Sequence, residues 1–523
     1  MADKRKNLLM ITPEFYGDTM VGGMAMATSG LANALLHLDM NVDVLLPAYK
    51  HSYVDSEIRF TDRLEVDRGK ALEVKSKSIG NIPVHKVIGL KLGGKFSDSY
   101  TAFDDDNLPD VKPMAYRTMS KGLFHGFWRL GAAIPEAIRK AGIEKPDVIH
   151  VHEWPLASAV YWLSRDEELK DVPVLLTTHN ANYAGVVPNL NESPRDLKLD
   201  SLYNTMLGSH IAVDGRAFKS LLEFGAYFAD KVNTVSPNEA KEILDGREGV
   251  DPSLVALLKG KGLAGMINGI DSNVFDPRHD EMIETYDPSS SQGVFLGKME
   301  NKKALKTGFD VRFGRRVDNA YRGNYHESFN LDPTKMWVSM LARLSDQKSI
   351  SEVVEAAKEI SKMGGPQLLL MGEPENWKVR NELYSLRGTP NVYVYDEFAR
   401  PELQHRVLAS SDAILQASKW EPFGYTQLEG MVYGALPIVT DVGGYKDTMV
   451  WFNGNDDTGY AFKVADTTPG AIVDAVRDAH RLYRNPDRWA KARGNAVKED
   501  FTWLGPKKPA KTYRETYANL MKE

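Results

Sequence analysis

Short aliphatic and β-branched runs recur along the chain, each followed by a longer stretch in which apolar positions return with helical spacing. In the first half they are NLLMIT (7–12), VDVLLP (42–47), DVIHVH (147–152), VPVLLTTH (172–179) and KVNTVS (231–236). In the second half they are MWVSML (336–341), QLLLMG (367–372), NVYVY (391–395), AILQA (413–417) and LPIVTD (436–441). Runs this apolar suit strands buried on both faces, and their alternation with helical stretches predicts βαβ units and parallel sheets. The pattern falls into two sets. Between them the segment 266–277, MINGIDSNVFDP, has the Asn-Gly and Asp-Pro pairs of an ordered linker. The expected division is therefore 1–271 and 272–500. The remaining 501–523 is expected to fold back as a helix on the first domain through Trp503, Tyr513, Tyr517 and Leu520.

Totals narrow the choice. A chain of 523 residues exceeds one ordinary core and leaves room for a cleft between two domains. No run approaches the ~20 apolar residues that span a bilayer, and the N-terminus reads as a first strand rather than a signal peptide. A protein without cysteine forms no disulfide, thiolate metal site or cysteine nucleophile. These features fit a soluble, cytoplasmic protein with no membrane partner. A net charge of −6 argues against nucleic acid, so any phosphate site must be local. The basic segment 302–322 reads as a solvated helix and loop, with a polyanion or acceptor patch as the alternative.

Candidate chemistry clusters at strand ends. After the first run comes TPEFYGDTMVGGM (12–24) and then a helical stretch over 25–38, which places Gly22 and Gly23 at a strand-to-helix junction. Backbone N–H groups and the helix dipole favour an anion there, although a Gly-Gly pair also serves as a simple tight turn. Neither the dinucleotide-binding nor the P-loop glycine spacing is present. Arg343 and Lys348 follow the strand at 336–341, where two cations suit a diphosphate leaving group. Seven residues separate Glu421 from Glu429 in SKWEPFGYTQLE (418–429). Glu421, Phe423, Gly424, Tyr425 and Thr426 form a loop and helix start able to hold sugar hydroxyls and phosphate oxygens. Glu429, two turns into that helix, suits ribose hydroxyls; helix capping is the alternative for the whole group.

In order along the chain, VGGM (21–24), DVIHVHEW (147–154), THNANYAG (178–185), ADKVNTVSP (229–237), NGID (268–271), RLSDQK (343–348), EPFGYTQL (421–428) and GGYKDT (443–448) resemble the bacterial glycogen synthase and plant starch synthase family of retaining glycosyltransferases. The resemblance implies the α/β fold called GT-B, two Rossmann-like domains with parallel sheets facing across a cleft. It implies that Gly22, Gly23, Arg343 and Lys348 meet the donor diphosphate and that Glu421 and His179 meet the transferred sugar. It also places Asn268 in the cleft, Tyr395 against the nucleobase and Glu153 and Trp154 on the acceptor side. Catalysis would then rest on His179, Arg343, Lys348 and Glu421, with no metal and no cofactor.

Departures from the family pattern bear on substrate. Met20 stands where the family keeps a lysine, Glu153-Trp154-Pro155 where it has Asp-Trp-His, and Ser349 where it has glycine. Glu429 belongs to the wider group that carries the E-x7-E motif. The expected activity is transfer of a hexose, most simply glucose, from a nucleoside diphosphate sugar such as ADP-glucose or UDP-glucose to a glycan or other hydroxyl acceptor. A specialised transferase with a non-glucan acceptor and a catalytically weak glucan-binding paralogue are the alternatives.

Overall fold

The computed structural model describes residues 5–18, 20, 22–47, 73–88, 121–187, 206–207, 210–312, 331–397, 399–454 and 458–522. The chain forms two compact units, Met1–Gly269 with Trp503–Glu523, and Ile270–Thr502. The division thus falls at 269/270, two residues before the expected one, and the second unit continues to 502.

The first unit contains β1 (Lys6–Ile11), β2 (Met40–Pro47), β3 (Glu73–Ile79), β4 (Ile82–Ile88), β5 (Val148–His152), β6 (Val174–Thr178), β7 (Met206–Leu207), β8 (His210–Val213), β9 (Arg216–Phe218), β10 (Lys231–Thr234) and β11 (Ala264–Gly265). Eight of these form one sheet in the order β11-β10-β6-β5-β1-β2-β4-β3, and β7, β8 and β9 form a small antiparallel sheet. Within the large sheet only the β3–β4 pair is antiparallel. Alternate residues of β1 enter two cores, Leu9 and Ile11 on one face and Leu8 and Met10 on the other. The first core includes residues of helices Lys121–Lys140 and Leu221–Phe228. The second includes residues of helix Gly23–Leu36 together with Trp503, Tyr513, Tyr517 and Leu520 from the C-terminal segment.

The second unit contains β12 (Trp337–Leu341), β13 (Gln367–Met371), β14 (Val392–Tyr395), β15 (Ala413–Gln416), β16 (Leu436–Thr440) and β17 (Phe462–Val464), all parallel, in the order β14-β13-β12-β15-β16-β17. In each sheet the chain builds outward in one direction and then returns to build in the other. The reversal lies between β1 and β5 in the first unit and between β12 and β15 in the second. Loops diverge from such a point and leave a crevice at the carboxyl ends of the two strands, where ligands bind in parallel α/β sheets.

In the basic segment Lys303 and Lys306 are exposed on a helix, as the solvated reading expects, but Lys302 departs from it. Lys302, on helix Ser291–Arg312, is buried, with Nζ 2.6 Å from Asp412 and 2.8 Å from the Lys335 carbonyl. Asp412 also accepts the Trp337 N–H at 2.8 Å, so the cation anchors the helix beneath β12 and β15. Residues 313–330 lie outside those described. Among the described residues no helix is long and apolar enough to cross a membrane.

Candidate functional site

At the first unit's reversal, β5 ends at His152 and Glu153 turns the chain into the short helix Trp154–Ala157. Glu153 has φ 64° and ψ 164°, a backbone region that is nearly glycine's alone and costs on the order of 1–3 kcal/mol. Its buried carboxylate offsets that strain. Oε1 accepts from the Trp154 N–H at 3.1 Å, while Oε2 accepts from the N–H groups of His179 and Asn180 at 2.8 and 3.1 Å. The carboxylate therefore ties the end of β5 to the end of β6. Burial pushes its pKa up to about 8, against the opposing pull of those three N–H groups.

His179, half-buried just beyond β6, bonds through Nε2 to His152 Nδ1 at 3.0 Å. The His152 ring lies 3.8 Å, centroid to centroid, from that of His150. His150 in turn bonds Thr177 Oγ1 through Nε2 at 2.6 Å and Tyr517 Oη through Nδ1 at 2.8 Å. Burial lowers the pKa of all three imidazoles, as expected for rings set among apolar strands.

The glycine loop shows a different balance. Helix Gly23–Leu36 begins at Gly23, and the Gly22 N–H donates to Glu14 Oε2 at 3.0 Å. Gly22 has φ −161°, which any residue adopts, and a Cβ there would meet no heavy atom within 4 Å. Neither conformation nor packing among the described residues calls for glycine. The backbone at Gly22 is open to close approach, while its N–H is already taken up by the Glu14 carboxylate. Met20 is half-buried, while Asp18, fully buried in the same loop, pairs with Lys86 at 2.7 Å and Lys77 at 3.0 Å. This loop thus draws its cations from β3 and β4.

At the second unit's reversal, Lys348 closes a single 3-10 turn, Asp346–Lys348, and forms an ion pair with Glu421 Oε2. Ser418 Oγ and Tyr445 Oη donate to the same oxygen, each at 3.1 Å. Three donors thus converge on Oε2, leaving Oε1 to accept from a ligand, while Lys348 keeps N–H donors for an anion. The two loops are stitched together by Lys419 N–H to the Gln347 carbonyl at 2.8 Å and Gln347 Nε2 to the Trp420 carbonyl at 3.1 Å. Ser345 Oγ, Ser349 Oγ and Trp420 Nε1 are buried here with no hydrogen-bond partner among the described residues. Bound ligand or water commonly satisfies such atoms. Arg343 is half-buried on the same β12 loop.

The other expected residues are distributed unevenly. Gly424 has φ +80°, and a Cβ there would lie 2.4 Å from Tyr445 Cε1, so the ring that holds Glu421 excludes any side chain at 424. Phe423 is buried and meets Tyr425 edge-on at 5.1 Å, while Thr426 Oγ1 donates to the Leu341 carbonyl at 3.3 Å. Glu429 lies in the first turn of helix Thr426–Val432, one turn earlier than expected. It is buried and accepts from Gln404 Nε2 at 2.9 Å, and burial raises its pKa to about 7. Tyr395 is half-buried at the end of the edge strand β14. Asn268 is buried in the first unit. Trp154 is 1% exposed and packs edge-on against Phe127 at 5.2 Å, which makes it a core residue in place of the expected acceptor contact. His152, Glu14, Ser418 and Tyr445 were absent from the sequence-based site. Three of them lie in segments that carry the family resemblance or the E-x7-E group, but their contacts depend on the order of strands in the sheets.

Comparison with known proteins bears on the family and the fold. The starch synthase catalytic domain family matches residues 7–268, and glycosyl transferases group 1 matches residues 322–495. Glycogen synthases of Francisella tularensis subsp. novicida and subsp. tularensis are each 28% identical, with 99% of both chains covered. The catalytic domain of starch synthase IV from Arabidopsis thaliana, described as bound to ADP and acarbose, superposes with a TM-score of 0.78 at 22% identity, covering 99% of this chain and 100% of that one. Sucrose-phosphate synthase from Thermosynechococcus elongatus follows at 0.56 and 16%, over 99% of this chain and 100% of its own. The architecture is GT-B. The chain belongs to the starch synthase catalytic domain family and is a hexosyltransferase of the glycogen and starch synthase type.

Proposed function

We propose that the protein transfers glucose from ADP-glucose or UDP-glucose to a hydroxyl of an α-glucan acceptor, with retention of the anomeric configuration. The observation that carries this reading is the Lys348–Glu421 pair, in which three donors occupy Oε2 and Oε1 has no hydrogen bond among the described residues. In this reading Glu421 accepts a hydroxyl of the transferred sugar, and Arg343 and Lys348 bind the diphosphate. Their charge grows in value as the sugar–phosphate bond breaks and negative charge accumulates on the leaving group. Within the first unit, His179 contacts a sugar, and Gly22 and Gly23 admit phosphate to the helix start. Tyr395 stacks on the base and Glu429 accepts the ribose hydroxyls. The acceptor attacks from the leaving-group side, and the departing diphosphate helps remove its proton, so catalysis consists of positioning and electrostatics. Two side-chain cations perform the neutralisation that a metal ion would otherwise perform.

Purified protein is assayed with ADP-glucose and UDP-glucose, each with glycogen and with a panel of small hydroxyl acceptors, and the product anomer is read by NMR. The expected result is α-linked product on glycogen, undiminished by EDTA. Lys348→Ala and Glu421→Ala should each lower kcat/KM by about 100-fold or more, the size expected when a transition-state charge partner is lost. Near-normal turnover in both variants would sink the mechanism. Transfer confined to the small acceptors would replace the glucan with a specialised acceptor.

A further inference from the structure

The hydrogen bonds behind His179 determine where its proton sits. Thr177 Oγ1 donates to Asn233 Oδ1 at 2.6 Å, and the Asn233 amide nitrogen faces the Thr234 carbonyl and Tyr513 Oη, which fixes the orientation of that side chain. The single Thr177 hydrogen is thereby used. The 2.6 Å contact from His150 Nε2 to Thr177 must then have Nε2–H as donor. Nδ1 of the neutral ring is left to accept from Tyr517 on helix Pro509–Leu520, at 2.8 Å. His150 is clamped at both nitrogens, and the His152 ring lies against it at 3.8 Å. Burial keeps both rings in the neutral form.

His152 has one proton to place. Its Nε2 is buried with no partner, and its Nδ1 meets His179 Nε2 at 3.0 Å. A proton on Nε2 would leave a buried N–H without an acceptor, which folded proteins rarely tolerate. A proton on Nδ1 leaves only a lone pair unmatched and makes His152 the donor to His179. The second arrangement costs less. We infer that His152 holds His179 as the tautomer protonated at Nδ1, so that His179 meets its ligand as a hydrogen-bond donor and not as a base. His150, fixed by Thr177 and Tyr517, supplies the rigid surface that keeps the His152 ring in place. His152 is a positioning residue in this scheme. It touches no reacting atom and acts through His179. The inference rests on the reading that His179 contacts a sugar.

Long-range 1H–15N spectra of histidine-labelled full-length protein, with signals assigned by subtraction in single variants, report which ring nitrogen carries each proton. The wild type should show His179 protonated at Nδ1 and His152 at Nδ1; a proton on His179 Nε2 overturns the inference without reference to activity. His152→Asn places an amide N–H close to where imidazole Nδ1 stood, whereas His152→Asp offers only acceptors and reverses the bond. His152→Asn should lower kcat by about threefold and His152→Asp by about thirtyfold or more, with donor KM little changed in both. Equal losses in the two variants would also overturn it. If His152→Asp does not fold, the wild-type spectrum decides. Full activity in His179→Gln, alongside the expected wild-type spectrum, would discard the role given to His179 and leave the tautomer assignment standing, so the two failures are distinguishable.

Discussion

Glu153 combines a strained backbone with a buried carboxylate, and its ionisation makes a testable contribution to stability. Its pKa rises from 4.5 in the free side chain to about 8 in the fold, because burial outweighs three backbone N–H donors. Between those values the folded chain binds a proton that the unfolded chain has released. The contribution is therefore fully present below about pH 4.5 and is lost as pH rises through about 8. Glu153→Gln abolishes this titration and also turns an amide toward backbone donors. The wild-type advantage over the variant should narrow, on the order of a few kcal/mol, between pH 5 and pH 9. Denaturant melts of both proteins across that range measure it, and a constant difference would show that the carboxylate stays ionised throughout. Glu153 was visible in the sequence through the family resemblance, which set it on the acceptor side. Its hold on residues 179 and 180 was not, since nothing in local spacing reveals that β5 and β6 lie side by side.

At the level of elements, the loop between β12 and helix Ile350–Ile360 carries a cost of its own. Ser349 sits there at φ 51°, ψ 43°, a left-handed conformation unfavourable for a side chain by ~1–2 kcal/mol, and its buried hydroxyl has no partner among the described residues. Ser349→Gly relieves both costs, while the freer unfolded chain takes part of the gain back. The net expectation is stabilisation of about 0.5–1 kcal/mol, seen as a rise of ~1–4 °C in the melting transition that includes the second unit. An unchanged or lower midpoint would show that a ligand or water already satisfies the hydroxyl. The strands flanking this loop were readable because β12 and β15 are fully buried and nearly uninterrupted in apolar residues. By contrast, β3 reads EVKSKSI, whose lysines and serines hide a strand at the sheet edge, and it was missed. The buried Lys302 was misread for the opposite reason. A basic helix looks solvated until Asp412, 110 residues later, proves to lie beneath it. The Lys348–Glu421 pair spans 73 residues and depends on β12 and β15 being neighbours, so the sequence placed both residues at a donor site without pairing them.

Across the whole molecule, the chain leaves its first unit at Gly269 and re-enters it at Trp503. The two crossings are joined where the Ile270 N–H donates to the Phe501 carbonyl at 2.8 Å. The returning segment is part of the first core. Trp503, Tyr513 and Tyr517 are each no more than 3% exposed, and a Cβ at Gly30 or Gly269 would lie 2.2 or 2.7 Å from Trp503 atoms. Large aromatic side chains bury ~150–250 Å² each, and at ~25 cal/mol per Å² three of them represent gross stabilisation of roughly 11–19 kcal/mol. Whole domains are stable by only ~5–15 kcal/mol. Deleting 503–523 should therefore abolish the calorimetric transition of the first unit and leave that of Ile270–Thr502, whose sheet and core lie within its own span. Gly30→Ala, which displaces the Trp503 indole without removing it, should cost ~1–3 kcal/mol in the same transition. If the truncated chain keeps both transitions, the C-terminal helix is an accessory to the first unit. If both transitions disappear, the two units fold as one. Selective loss of the first transition would also mean that Tyr517, 367 residues from the His150 it bonds, belongs to the folding core of the unit whose histidines it orders.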